Sequence, residues 1–395
     1  MTNKELHQFD QQYYLQTFKR YPLAFDRGQG AHLWDVEGNE YIDMLAGIAV
    51  NSVGYSHPKV VKAIQEQAAK LTHISNFYVS EPQVMLSKKL VELSDLDRVF
   101  FSNSGAESAE GAIKIARKYA HSVGRGGTVM SFHGSFHGRT LATIATGKKQ
   151  MQQGFGPIPE GFIKVPFNDI EAVKAATTQE VGAIIIEPIQ GEGGINVADK
   201  QFLTDLRKFC DEHKIALIFD EIQCGVGRTG KWFAKDQFGV EPDIMTLAKA
   251  LGGGVPIGAI LSNEKVSSAI EFGDHGTTFG GNPLVCAASL AVLEVIEEEN
   301  LLEAAEEKGN WLKAQFEAMN EETIKDIRGM GLMLGIEFDF ETKPLVAEMM
   351  NRGVLANATA GNVLRLVPPL NITKDDLEQV MNVIKNSLET IKANA

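Results

Sequence analysis

A chain of 395 residues, 44% hydrophobic and 23% charged, is long enough for a large core and more than one domain, and its composition is that of an ordinary globular protein. A formal net charge of −13, with acidic residues spread along the chain, argues against a nucleic-acid or anionic-membrane partner, so local geometry must catch any anionic ligand. Cys210, Cys224 and Cys286 lack metal-ligand spacing and point to a reduced, cytoplasmic setting, the N-terminus lacks a signal peptide's apolar core, and no run approaches the ~18 apolar residues of a membrane span.

Up to about Ile48 the chain reads as short strands and turns, with GAHLWDVEGNEYIDMLAG alternating apolar and polar residues around Glu37-Gly38-Asn39. HPKVVKAIQEQAAKL follows as an amphipathic helix. The runs RVFFSN, TVMSF, AIIIEP, IALIFDE, DIMTLA and GAILSN then recur between loops and helical stretches. Apolar runs without alternation predict a largely parallel sheet buried on both faces. After Asn282 the pattern turns helical, gives the short strands GLMLGIEFD and VLRLVPP, and ends in a helix opened by Thr373 and Asp376 in a capping-box pattern. Leu377, Val380, Met381, Ile384, Leu388 and Ile391 form its apolar stripe. The expected organisation is α/β: a large domain over residues 49–285, and a smaller α+β domain built from residues 1–48 and 286–395.

The loops between these elements carry the chemistry. Ser104, Gly105 and Ala106 open a helix after a strand, and its N–H groups and dipole suit a phosphate, although a plain N-cap serine gives the same pattern. SFHGSFHGRT sets Phe136, His137 and Arg139 just past a strand, where an aromatic can stack on a flat ring and an arginine can clamp a carboxylate. IIIEPIQGEGG ends an apolar strand in Glu187 and holds Glu192 between glycines, either as a solvated loop residue or as an arginine's partner. In ALIFDEIQCGVGRTG, Asp220 ends a buried strand, where α/β sheets bind ligands. A buried carboxylate there needs a partner, and a protonated pyridine nitrogen is one. Lys249 closes the next apolar run, and an amine shielded from water can lose its proton and attack an aldehyde. HGTTFGGNP then offers the Thr277 and Thr278 hydroxyls to a phosphate or carboxylate. The one G-x-G-x-x-G, Gly225–Gly230, is separated from the apolar run before it by Glu221–Cys224, which disfavours a nicotinamide-binding oxidoreductase.

Taken in order, SGAE, FHGRT, EPIQGEGG, DEIQCGVGRTG, LAKALGGG and TTFGGNP resemble the class-III aminotransferases, and the likeness runs from LWDVEGNEYID to LRLVPPL. The resemblance implies a pyridoxal-phosphate transferase of fold type I, with a mostly parallel seven-stranded sheet in the large domain. It makes Lys249 the Schiff-base lysine and Asp220 the carboxylate that keeps the pyridine nitrogen protonated, so that the ring is an electron sink. Phe136 becomes the stacking ring, Ser104, Gly105 and Ala106 the phosphate cradle, and Gln223 the group near the ring's phenolic oxygen. His137, Glu221 and Ile222 are expected against the cofactor as well. Thr278 matches a phosphate ligand that reaches across from a partner subunit, which implies a homodimer with shared sites. On the substrate side stand Arg139 and Thr277. Arg365 resembles the arginine for the α-carboxylate of 2-oxoglutarate or glutamate, and Glu192 its switch partner. Ile48 stands where ornithine enzymes of the family carry a tyrosine, and an apolar residue there leaves room for an acylated α-amine. Together with RYPLAFDRGQG this implies ping-pong transamination from N2-acetylornithine to 2-oxoglutarate, a step of arginine biosynthesis. Ornithine, succinylornithine, succinyl-diaminopimelate and 4-aminobutyrate are the alternative donors.

Overall fold

The computed structural model describes residues 1–393. The chain does not begin with strands and turns, because a helix, Asn3–Tyr13, precedes them. A reciprocal cap starts it: Thr2 Oγ1 accepts from the Glu5 N–H at 3.2 Å, and the Glu5 carboxylate accepts from the Thr2 N–H at 2.8 Å. This helix buries no side chain, so no apolar stripe in the sequence marks it. The expected short strands follow as β1 (Phe25–Gln29), β2 (His32–Asp35) and β3 (Glu40–Asp43).

The central sheet uses β4 (Arg98–Ser102), β5 (Thr128–Phe132), β6 (Phe162–Val165) and β7 (Val181–Ile186). A small hairpin, β8 (Ile189–Gln190) and β9 (Asn196–Val197), interrupts them. The sheet is completed by β10 (Ala216–Asp220), β11 (Ile244–Leu247) and β12 (Gly258–Ser262), in the order β4-β12-β11-β10-β7-β5-β6. Only β12 runs against its neighbours. Every residue of β7, β10 and β11 is buried, which is why their sequences do not alternate. The edge strand β6, FIKV, is only half-buried over three of its four residues, so it lacks the long apolar run of the others. For the site, direction matters most: β4, β5, β7, β10 and β11 all deliver their carboxyl ends to one edge of the sheet. Helix Gly105–Ser122 lies against the sheet on buried Ala109, Ala112, Ile113 and Ala116. It comes so close that a Cβ on Gly258 would strike the Ser102 and Ser108 side chains.

The last third adds β13 (Ile324–Met330), β14 (Met333–Phe338), β15 (Val354–Leu355), β16 (Asn357–Thr359) and β17 (Val363–Leu366). Four of them form an antiparallel sheet, β13-β14-β17-β16. β15 instead pairs in parallel with β3, so both ends of the chain share the sheet β1-β2-β3-β15. Helix Pro283–Glu298 runs unbroken through residue 285. In the last helix, Lys374–Ala393, Asp376 N–H donates to Thr373 Oγ1 at 3.1 Å and Thr373 N–H to the Asp376 carboxylate at 3.2 Å. Leu377, Val380, Ile384 and Leu388 are buried along its inner face, each stabilising by roughly 1.5–3 kcal/mol. No described helix is long and apolar enough to cross a membrane.

Candidate active site

A cavity of ≈ 430 Å³ opens at the edge where the strand ends meet. Its walls include Ser104, Gly105, Ala106, Phe136, His137, Arg139, Glu187, Asp220, Ile222, Gln223 and Lys249. Ser104 has extended backbone and caps the helix, its Oγ accepting from the Glu107 N–H at 3.2 Å. The first amides of this 18-residue helix, at Gly105 and Ala106, have no intrahelical acceptor and stand on the cavity wall, an arrangement suited to an anion. A Cβ on Gly105 would sit 2.9 Å from Ile222 Cγ2, so the glycine lets the helix start close against the β10 loop.

Asp220 is buried at the tip of β10. It accepts from Ile222 N–H at 3.1 Å and Thr246 Oγ1 at 3.3 Å, and pairs with His137 Nδ1 at 2.6 Å. Burial pushes the His137 imidazole down, but Asp220 outweighs it and raises the ring's pKa. His137 therefore backs the carboxylate. Phe136 is held by its main chain, which donates to Glu187 at 2.9 Å, and the other Glu187 oxygen accepts from Gly191 N–H at 3.2 Å. Burial raises the Glu187 carboxyl to about 7 despite the opposing pull of His137. The Arg139 guanidinium lies 5.3 Å from the centre of the Phe136 ring. Lys249 follows β11 with a left-handed φ of 42°, unusual for a side chain outside glycine. Burial lowers its ammonium pKa, with Glu192 opposing, so the amine loses its proton more readily than a surface lysine.

Glu192 forms an ion pair with Arg365 NH1. Arg365 is fully buried on β17; its Nε donates to Asn357 Oδ1 at 2.8 Å and its NH1 to Gln223 Oε1 at 3.3 Å. Burial raises the Glu192 carboxyl, and Arg365 overcomes that to hold it below the usual carboxylate range. Gln223 connects this pair to the cavity.

Other expected residues fall elsewhere. Glu221 points away from the cavity, and its carboxylate accepts from the Ala234 and Lys235 N–H groups at 2.5 and 2.8 Å. It directly follows Asp220 at the strand end, so the two side chains leave opposite sides of the backbone. Ile48 is 38% exposed in a left-handed turn, while Val50 from the same loop lines the cavity. Thr277 accepts from Gly280 N–H at 3.1 Å and from Asn103 Nδ2 at 3.3 Å, and Asn103 is a wall residue. Thr278 is exposed and lies outside its own chain's cavity. Asn103, Val50 and Asn357 carried no motif signal, since each acts by position in the fold.

Pyridoxal 5'-phosphate fits these residues: free amides at a helix start, an aromatic wall, a buried carboxylate braced by a histidine, and a lysine amine within one cavity. The fold and site together define a pyridoxal-phosphate-dependent transferase of fold type I. A family model described as "Aminotransferase class-III" matches residues 13–388, and the chain belongs to that family. The acetylornithine aminotransferase of Methanocaldococcus jannaschii is 53% identical over 388 residues, covering 97% of this chain and 98% of the relative. That of Caldanaerobacter subterraneus subsp. tengcongensis is 46% identical over 391 residues, 97% of this chain and 99% of the relative. Among solved structures, the ornithine aminotransferase of Toxoplasma gondii ME49 superposes with a TM-score of 0.96 at 34% identity, covering 100% of this chain and 97% of that one. N-acetylornithine aminotransferase from Stenotrophomonas maltophilia K279a gives 0.85 at 37% identity, covering 98% and 100%.

Proposed function

We propose that the protein transfers the δ-amino group of N2-acetylornithine to 2-oxoglutarate, giving the corresponding semialdehyde and glutamate. The observation that carries this is the set of relatives at 46–53% identity over nearly their whole length that bear the name acetylornithine aminotransferase. Bound pyridoxal phosphate supplies an aldehyde for the amine and a ring that takes up the electrons of the broken C–H bond. Lys249 Nζ would hold that aldehyde and, once freed, would move the proton at the donor's δ-carbon, a role its lowered pKa suits. Asp220, braced by His137 at 2.6 Å, would hold its carboxylate toward the ring nitrogen. Phe136 would cover one ring face, and the Gly105 and Ala106 amides would receive the phosphate. While the donor reacts, Glu192 keeps the Arg365 charge covered. In the second half-reaction the α-carboxylate of 2-oxoglutarate takes its place, so two substrates of different shape share one site.

In this reading the working unit is a cytoplasmic homodimer. Thr278 serves the partner's phosphate, which agrees with its exposure and its place outside its own cavity. A donor panel of N-acetylornithine, ornithine, N-succinylornithine and 4-aminobutyrate with 2-oxoglutarate tests the proposal. N-acetylornithine should give the highest kcat/KM. A higher value for unacylated ornithine would reject the acetylated donor while leaving the transferase class intact.

A further inference from the structure

The pairing register of the small sheet places Arg328 opposite Gly335, Gly335 opposite Arg365, and Arg365 opposite Asn357. These four residues form one row across all four strands. Opposed residues in adjacent strands point to the same face. The loop Gly191–Ile195 lies on that face, touched at successive points. Arg328 Nε donates to Gly194 O at 2.9 Å, and Arg365 meets the Glu192 carboxylate. Asn357 orients Arg365 through Nε at 2.8 Å. Gly335 leaves a seat for Ile195: a Cβ at 335 would lie 2.8 Å from Ile195 Cβ. Two residues along β16 from Asn357, and therefore on the same face, Thr359 Oγ1 donates to Glu192 O at 3.0 Å.

The loop's backbone shows that its path is imposed. Ile195 is fully buried with φ +59°, a region β-branched residues avoid, and Gly194 has φ +110°. Such a conformation persists only where the surroundings over-determine it. Here they include the Gly335 seat, the Arg328 and Thr359 hydrogen bonds to carbonyls, and Asn196 Nδ2 donating to Gly193 O at 3.0 Å.

We infer that Thr359 and Arg328 are positioning residues for the Glu192–Arg365 gate, pinning the main chain on both sides of Gly193 so that Glu192 rests on Arg365 and the gate opens through its side chain. This rests on the gate reading given above. Pinned, the carboxylate has few places to go other than the guanidinium, so 2-oxoglutarate must displace a well-placed rival. Unpinned, the loop spreads over more conformations and the rival weakens.

The experiment is a double-mutant cycle on the holoenzyme, using Thr359→Val, Thr359→Ser and Glu192→Ala, with Arg328→Met as a second, independent pin. Thr359→Val is expected to lower the KM for 2-oxoglutarate by about five-fold, the worth of one neutral hydrogen bond. The donor half-reaction should show no matching gain in single-turnover measurements. Thr359→Ser, which keeps the hydroxyl, should restore the wild-type KM, and Arg328→Met should move it in the same direction as Thr359→Val. In the Glu192→Ala background, Thr359→Val should change nothing, because no carboxylate remains to be placed. A fall in KM with Glu192→Ala but none with either pin variant overturns the positioning role. So does a pin effect that persists without Glu192. If Glu192→Ala itself leaves the 2-oxoglutarate KM unchanged, the gate reading fails instead.

Discussion

Replacing Glu221 by Gln separates a structural carboxylate from the Asp220 carboxylate that stands directly beside it on the cavity wall. Glu221 is 1% exposed and accepts two main-chain N–H groups where helix Ala234–Phe238 begins. Burial raises its pKa from 4.5 to about 8, the Ala234 and Lys235 amides only partly opposing. The folded protein thus holds this proton more tightly than the unfolded chain. The contribution is fully present below about pH 4.5 and is lost as the pH rises through about 8. A shift of that size corresponds to roughly 5 kcal/mol between the two ends of the window. Glutamine cannot ionise, so the variant loses this slope. It also replaces one acceptor oxygen by an amide donor, which costs about 1–3 kcal/mol where the acid was still protonated. Urea unfolding of the holoenzyme at fixed protein concentration, run at pH 5.5, 7 and 8.5, should find the variant weaker at low pH and level with or above wild type at high pH. Turnover with the preferred donor should stay within a few-fold of wild type. Parallel stability profiles, or lost turnover with an unchanged profile, would refute the assignment of Glu221 to the fold.

Lys249→Ala should lose the absorbance band of the lysine-bound cofactor and at least the ~10²–10⁴-fold that proton transfer contributes, as followed by glutamate formation; full turnover would contradict its role. Asp220→Asn removes the charge that raises the His137 pKa, so an NMR titration should find that ring titrating lower, while kcat/KM falls by about 10–100-fold, the range of one charge-assisted hydrogen bond. Gly258→Ala drives a methyl into the Ser102 and Ser108 side chains and should destabilise by about 1–3 kcal/mol, seen as a lower Tm.

Patterns set by burial were open to reading in one dimension. β7, β10 and β11 are buried along their full length, so their apolar runs announced a two-sided sheet, and the polar residue at each end marked the functional edge. Asp220 and Lys249 stood out for that reason, whereas Phe136 and the Ser104 helix start stood out through motifs that resemble the family's. Where burial was thin the pattern failed. Helix Asn3–Tyr13 buries nothing and β6 only half of itself, so neither stood out. Glu221 was misplaced because Asp-Glu at a strand end does not say which of the two enters the cavity; backbone direction decides that, and Glu221 found two amides on the other side.

Periodicity in the sequence therefore determined the class of fold, and the ordered motifs, through their resemblance to the class-III aminotransferases, the family and the cofactor, since both kinds of signal are properties of neighbours in the chain. Only the tertiary structure decided the rest. His137 braces Asp220 across 83 positions, and Asn357 on the neighbouring strand orients Arg365. The row Arg328–Gly335–Arg365–Asn357 exists only because three strand pairings share one register. Register and facing are set by how separate segments pack together, and no short stretch of sequence contains them.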